Sequence, residues 1–75
     1  MDKVLKTFEL RRDEDVSGVS GTGVVVVGAI FPPDGRVVMR WVTGEPPYSI
    51  VIYDAIEDVM KIHGHDGKTR LVMND

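Results

Sequence analysis

With 75 residues, a net charge of −3 and no cysteine, the chain has room for one domain, spanning 1–75, and neither a disulfide nor a thiolate metal site to hold it together. A domain this short buries only about 60% of the surface its unfolded form exposes, so stability has to come from an efficient core or a partner subunit. The acidic balance opposes a nucleic-acid surface, no stretch approaches the roughly 20 apolar residues of a membrane span, and Met1-Asp2-Lys3-Val4 lacks the apolar core of a signal peptide, so the expected location is the cytoplasm.

Thirteen valines and five isoleucines stand against three leucines. β-Branched side chains suit a pleated, half-buried surface and lose rotamer freedom in helices, so the composition predicts a mostly β protein. The first strand is expected over Val4 to Arg11, with Leu5 and Thr7 on one face and Lys6, Phe8 and Leu10 on the other. Arg12-Asp13-Glu14-Asp15 and the glycine- and serine-rich run to Gly23 then read as a long permissive loop, either a solvated connection or an adaptable binding loop.

Val24 to Phe31 is a near-continuous apolar run, and Val37 to Val42 is a second strand. Between them Pro33-Asp34-Gly35 supplies the fixed φ, the side-chain acceptor and the positive φ of a tight turn, which predicts a hairpin. Gly28, inside the first of these strands, predicts a bulge or a close backbone approach. Alternation places Val37, Met39 and Trp41 inward and Arg36, Val38 and Arg40 outward.

Pro46-Pro47 breaks the sheet, and Ser49 to Tyr53 resumes it. Asp54 is expected to cap a helix, with Glu57 completing a capping box and Gly64 ending the helix in a left-handed turn. Ile56, Val59, Met60 and His63 recur at helical spacing, and Arg70 to Met73 form the last strand. The predicted order is β-β-β-β-α-β. It resembles a small barrel of the Src-homology-3 type, with an open antiparallel sheet packed on one helix as the competing architecture; neither order carries a function with it.

Two blocks carry a resemblance: Asp13-Glu14-Asp15-Val16-Ser17-Gly18-Val19-Ser20-Gly21-Thr22-Gly23, and Tyr53-Asp54-Ala55-Ile56-Glu57-Asp58-Val59 running into Ile62-His63-Gly64-His65-Asp66-Gly67-Lys68-Thr69-Arg70. They resemble a group of short uncharacterised proteins from bacteria, haloarchaea and bacterial viruses, with Ala55 and Met73-Asn74 as departures from the group's pattern. The resemblance implies an accessory of a phage or mobile element and assigns no role to any residue.

Several motifs invite chemistry. His63-Gly64-His65-Asp66 holds metal-ligand types, but zinc needs three or four converging groups and no fourth is evident; His63 continues the apolar helix face, so no metal and no cofactor are expected. Gly67-Lys68-Thr69 is not a nucleotide-hydrolase loop, because Ile62 stands where that loop needs glycine and the helix precedes rather than follows. The amides of Gly64 and Gly67, with Lys68 and Arg70, could still cradle one anion. Ser17, Ser20 and Ser49 lack the context of a hydrolytic nucleophile, so an enzyme is not expected. Tyr48, a loop aromatic beside two prolines, is either an interface anchor or a lid on the core.

The sequence thus supports a non-catalytic accessory protein that self-associates and binds a protein, such as one from the host. The alternative is a protein that binds or sequesters a small anionic ligand such as a nucleotide. Arg40, Tyr48, His63, His65, Lys68, Thr69 and Arg70 are the candidate ligand-binding residues. A homo-oligomer is expected with one side of the Val24–Val27 run in the interface, since a single helix covers only one sheet face.

Overall fold

The computed structural model describes residues 4–13, 22–64 and 67–74. Its elements are β1 (Lys6–Arg12), β2 (Gly23–Phe31), β3 (Arg36–Trp41), β4 (Ile50–Tyr53), α1 (Ile56–His63) and β5 (Thr69–Asn74), in the predicted order. The strands form one antiparallel sheet in the order β4-β3-β2-β1-β5. β4 and β5 are its two edges, so the open sheet is realised rather than the barrel. Among the described residues no helix is long and apolar enough to cross a membrane.

Directly paired residues project to the same side of a sheet, so the register defines the inner face. One row is Phe8, Gly28, Met39 and Val51; the next is Leu10, Val26 and Trp41, with Leu71 beside Leu10 across the other ladder. α1 lies on this face through Val59, with Ile56 and Met60 half-buried beside it. Phe8, Leu10, Val25, Val26, Val37, Met39 and Val59 are fully buried, which makes the Phe8 and Leu10 face of β1 the inner one and agrees with the inward parity expected of β3. Trp41 is half-buried at the margin of this core.

Gly28 is a close approach. A Cβ there would meet Phe8 Cζ at 2.5 Å and the Val38 carbonyl oxygen at 2.6 Å, so the Phe8 ring occupies the space a side chain would fill. The bulge lies elsewhere: the β1–β2 register shifts between Leu10 and Arg11, which pair with Val26 and Val24 and leave Val25 as the extra residue. The shift breaks the strict alternation expected of the valine run. Val25 and Val26 are both buried, and Val27 is 41% exposed on the far face.

The β2–β3 turn follows its sequence, with Gly35 at φ 82° and the Gly35 N–H donating to the Phe31 carbonyl at 2.9 Å. The Asp34 carboxylate accepts the Arg36 N–H at 3.2 Å.

The helix ends differ from expectation. Ala55, not Asp54, is the N-cap residue, and no side chain caps the helix. Pairing of Val37 with Tyr53 brings Arg36 level with Asp54, and the Asp54 carboxylate accepts Arg36 Nη2 at 3.2 Å instead. Both partners are solvent-exposed, and exposed ion pairs contribute about 0–1 kcal/mol. Asp54→Ala is therefore expected to change stability by less than about 0.5 kcal/mol in a urea melt; a loss near the roughly 1 kcal/mol of a helix cap would contradict the structure. Gly64 is right-handed (φ −68°) and extends the helix by donating its N–H to the Met60 carbonyl at 2.9 Å. Its glycine is needed because a Cβ would meet that carbonyl oxygen at 2.6 Å. The positive φ falls instead at Gly67, at 87°.

Candidate functional site

Arg12 follows Phe8 and Leu10 on the inner parity of β1, and its registered partner on β5 is Thr69. A charged side chain is thus carried to the helix-covered face. Arg12 is 2% exposed and Thr69 is 2% exposed. Arg12 Nε donates to Thr69 Oγ1 at 3.1 Å, while Nη1 is buried with no hydrogen-bond partner among the described residues. Three other arginines have acids: Arg11 with Glu9 at 3.3 Å, Arg36 with Asp54 at 3.2 Å, and Arg70 with Asp13 at 3.1 Å. Arg12 pairs with no carboxylate among the described residues. A buried charge lacking a counter-ion costs several kcal/mol, and a buried donor left unmade costs more than a bond gains. The guanidinium is a flat fork of donors that suits carboxylate or phosphate oxygens. Its open donor beside a threonine hydroxyl is the one place on the inner face where the chain leaves a strong anion-binding group unsatisfied among the described residues.

The same face holds an aromatic group. Tyr53 Oη and His63 Nε2 share a hydrogen bond of 2.9 Å, and the Trp41 ring meets the His63 ring edge-on with centroids 5.4 Å apart. His63 is half-buried, the packed position its apolar spacing predicts. Among the described residues no three His, Cys, Asp or Glu side chains converge as a metal site.

The seven residues picked from sequence do not form one site. Thr69 joins Arg12, and His63 joins Trp41 and Tyr53, both on the inner face. Arg70 is on the outer face of β5 with Asp13, and Lys68 is exposed in the turn before it. Arg40 is outward on β3, its guanidinium 5.9 Å from the centre of the Tyr48 ring. His65 lies outside the described residues. The amide cradle is not available either: Gly64 N–H donates to the Met60 carbonyl and Gly67 N–H to the Gly64 carbonyl at 3.1 Å. Arg12 was missed because it opens the charge run Arg12-Asp13-Glu14-Asp15. Extending the alternation of Phe8 and Leu10 by two residues would have found it.

The outer face is different in kind. Ile50 and Ile52 are 64% and 65% exposed, and Val27 and Phe31 stand beside them. A shallow hollow of about 340 Å³ lies here, lined by Val27, Ala29, Phe31, Val38, Arg40 and Ile50 among others. It lies on the face opposite Arg12, and its lining is mostly apolar, with Thr7, Arg40 and Asn74 as the polar members.

No curated protein and no solved structure matches the chain. A family model described as "Acb5 phage protein" matches residues 5–75, from just before β1 through β5. With a match across nearly the whole chain, the protein belongs to the Acb5 phage protein family.

Proposed function

We propose that this phage protein acts by binding a small phosphate-bearing ligand, such as a nucleotide, on the inner face of its sheet, with Arg12 as the anchor. The observation that carries this reading is the buried Arg12 Nη1, without a partner among the described residues, beside Thr69 Oγ1. An anion there would supply the missing acceptor and neutralise the charge in one contact. Trp41, His63 and Tyr53 offer ring surface on the same face, which suits a base or ribose. We place the chain among binding proteins rather than enzymes, in keeping with the absence of a nucleophile motif in its sequence.

The test is a thermal-shift panel of inorganic phosphate, mononucleotides and cyclic dinucleotides, followed by chromatography of the recovered ligand. A phosphate-bearing ligand at a hundred times its dissociation constant adds about 2.7 kcal/mol to stability. No shift with any member at millimolar concentration removes the reading. Recovery of the ligand intact supports binding alone, and recovery of a converted product overturns the non-catalytic assignment.

A protein partner is the second reading, and the exposed apolar outer face favours it.

A further inference from the structure

We propose that the outer face of the sheet is the interface of a homodimer, with the twofold axis in the interface plane, parallel to β2 and over Val27. The inference is independent of the ligand reading, because it concerns the opposite face.

β2 is the central strand of five, so the sheet has two strands on either side of it. The outer row through Val27 runs Ile50, Arg40, Val27, Glu9 and Val72 across β4, β3, β2, β1 and β5. A cation and an anion therefore flank the central valine at equal strand spacing. The neighbouring row runs Ile52, Val38, Ala29, Thr7 and Asn74.

Two sheets stacked face to face can be related by a twofold axis only if it lies in the plane between them. An axis along β2 exchanges left and right. Val27 then meets the partner's Val27, Arg40 meets the partner's Glu9, Glu9 meets the partner's Arg40, and Ile50 meets the partner's Val72. An axis perpendicular to the strands would set Arg40 against the partner's Arg40, and like charges facing each other disfavour an interface. The row is thus self-complementary in one orientation only. A foreign partner would require no such antisymmetry, and this is what commits the surface to a second copy.

Size and reach agree. Five strands at about 4.8 Å spacing and six residues at about 3.4 Å give a face of roughly 24 by 20 Å, so two copies bury about 1,000 Å² before corrugation, the lower bound for a specific interface. Packed sheets sit about 10 Å apart, a gap that arginine and glutamate span together. Glu9 already accepts Arg11 Nε at 3.3 Å, but a carboxylate has about four acceptor sites and can take a second guanidinium.

The experiment is a charge swap read by light scattering at micromolar concentration, with circular dichroism as the folding control. The wild-type chain is expected at twice the chain mass. Arg40→Glu alone and Glu9→Arg alone each place like charges across the axis, and each is expected to weaken self-association at least tenfold. Mixing the two variants restores complementary pairs at both positions, so heterodimers should dominate the mixture. Val27→Lys should give a monomer. A monomeric wild type overturns the proposal. So does a dimer that tolerates Val27→Lys, which would point to edge-strand pairing, or a mixture of the two charge variants that stays monomeric.

Discussion

Phe8→Ala is expected to remove about 3 to 5 kcal/mol of stability, most of what a domain of this length has. Phe8 is fully buried, and its ring lies where the side chain of residue 28 would be. Truncation therefore loses apolar burial and also uncovers the backbone of Gly28 in the central strand. No neighbouring side chain on β2 can fill the gap, because glycine has none. A urea melt reads the loss directly, and a change below about 1 kcal/mol would mean that the ring does not pack on Gly28. The reciprocal substitution sharpens the test. Gly28→Ala forces a methyl against Phe8 Cζ at 2.5 Å and against the Val38 carbonyl at 2.6 Å. Shortening the ring in the double variant Phe8→Leu, Gly28→Ala relieves the first clash and leaves the second, so the two changes should cost less together than the sum of their separate effects.

Arg12→Met is expected to have opposite effects on stability and on binding. Methionine fills a similar volume with a flexible apolar chain and removes a buried charge that has no carboxylate partner among the described residues. Replacing a buried ion by an apolar group of similar size is often neutral or stabilising, by about 1 to 4 kcal/mol in the favourable cases. Thr69 loses its donor but keeps a hydroxyl that can turn to another acceptor. The unliganded variant should therefore melt no lower than the wild type, while the stabilisation by phosphate-bearing ligands disappears. A variant that unfolds would show that Arg12 is held by contacts worth more than its desolvation. A variant that still responds to ligand would place the anion elsewhere.

Much of the fold was legible because local signals and tertiary packing agree. The Pro33-Asp34-Gly35 turn, the inward trio Val37, Met39 and Trp41, and the helix over Ile56–His63 all follow from residues close together in the chain. Expectations failed where a distant partner decided the outcome. Asp54 has the chemistry of a cap, yet strand pairing places Arg36 within reach and the helix begins one residue later. The valine run has no internal sign of the extra residue at Val25, because the bulge is a property of its pairing with β1. The candidate site suffered most. Charge and hydrogen-bonding type gathered Arg40, Lys68, Thr69 and Arg70 into one group, whereas the sheet sends Arg40 and Arg70 to one face and Thr69 to the other. Face, not proximity in sequence, sorts functional groups in a β protein.

The β1–β5 ladder joins the first and last strands of the chain. β2, β3 and β4 are joined by successive antiparallel pairings of neighbours in the chain, which close early and at small entropic cost. β5 instead pairs with β1, and the Arg12–Thr69 bond joins residues 57 apart in sequence. Contacts between such distant segments form late, since the chain must be closed before they are gained. β5 is also an edge strand, held by a ladder on one side only. The Arg12–Thr69 pair is thus completed by an edge strand from the far end of the sequence, the kind of element expected to dock late and to open first. A ligand held between Arg12 and Thr69 would bolt this strand in place, so that occupancy would register as slowed amide exchange along Thr69–Asn74 while the β2–β3 hairpin exchanged as before.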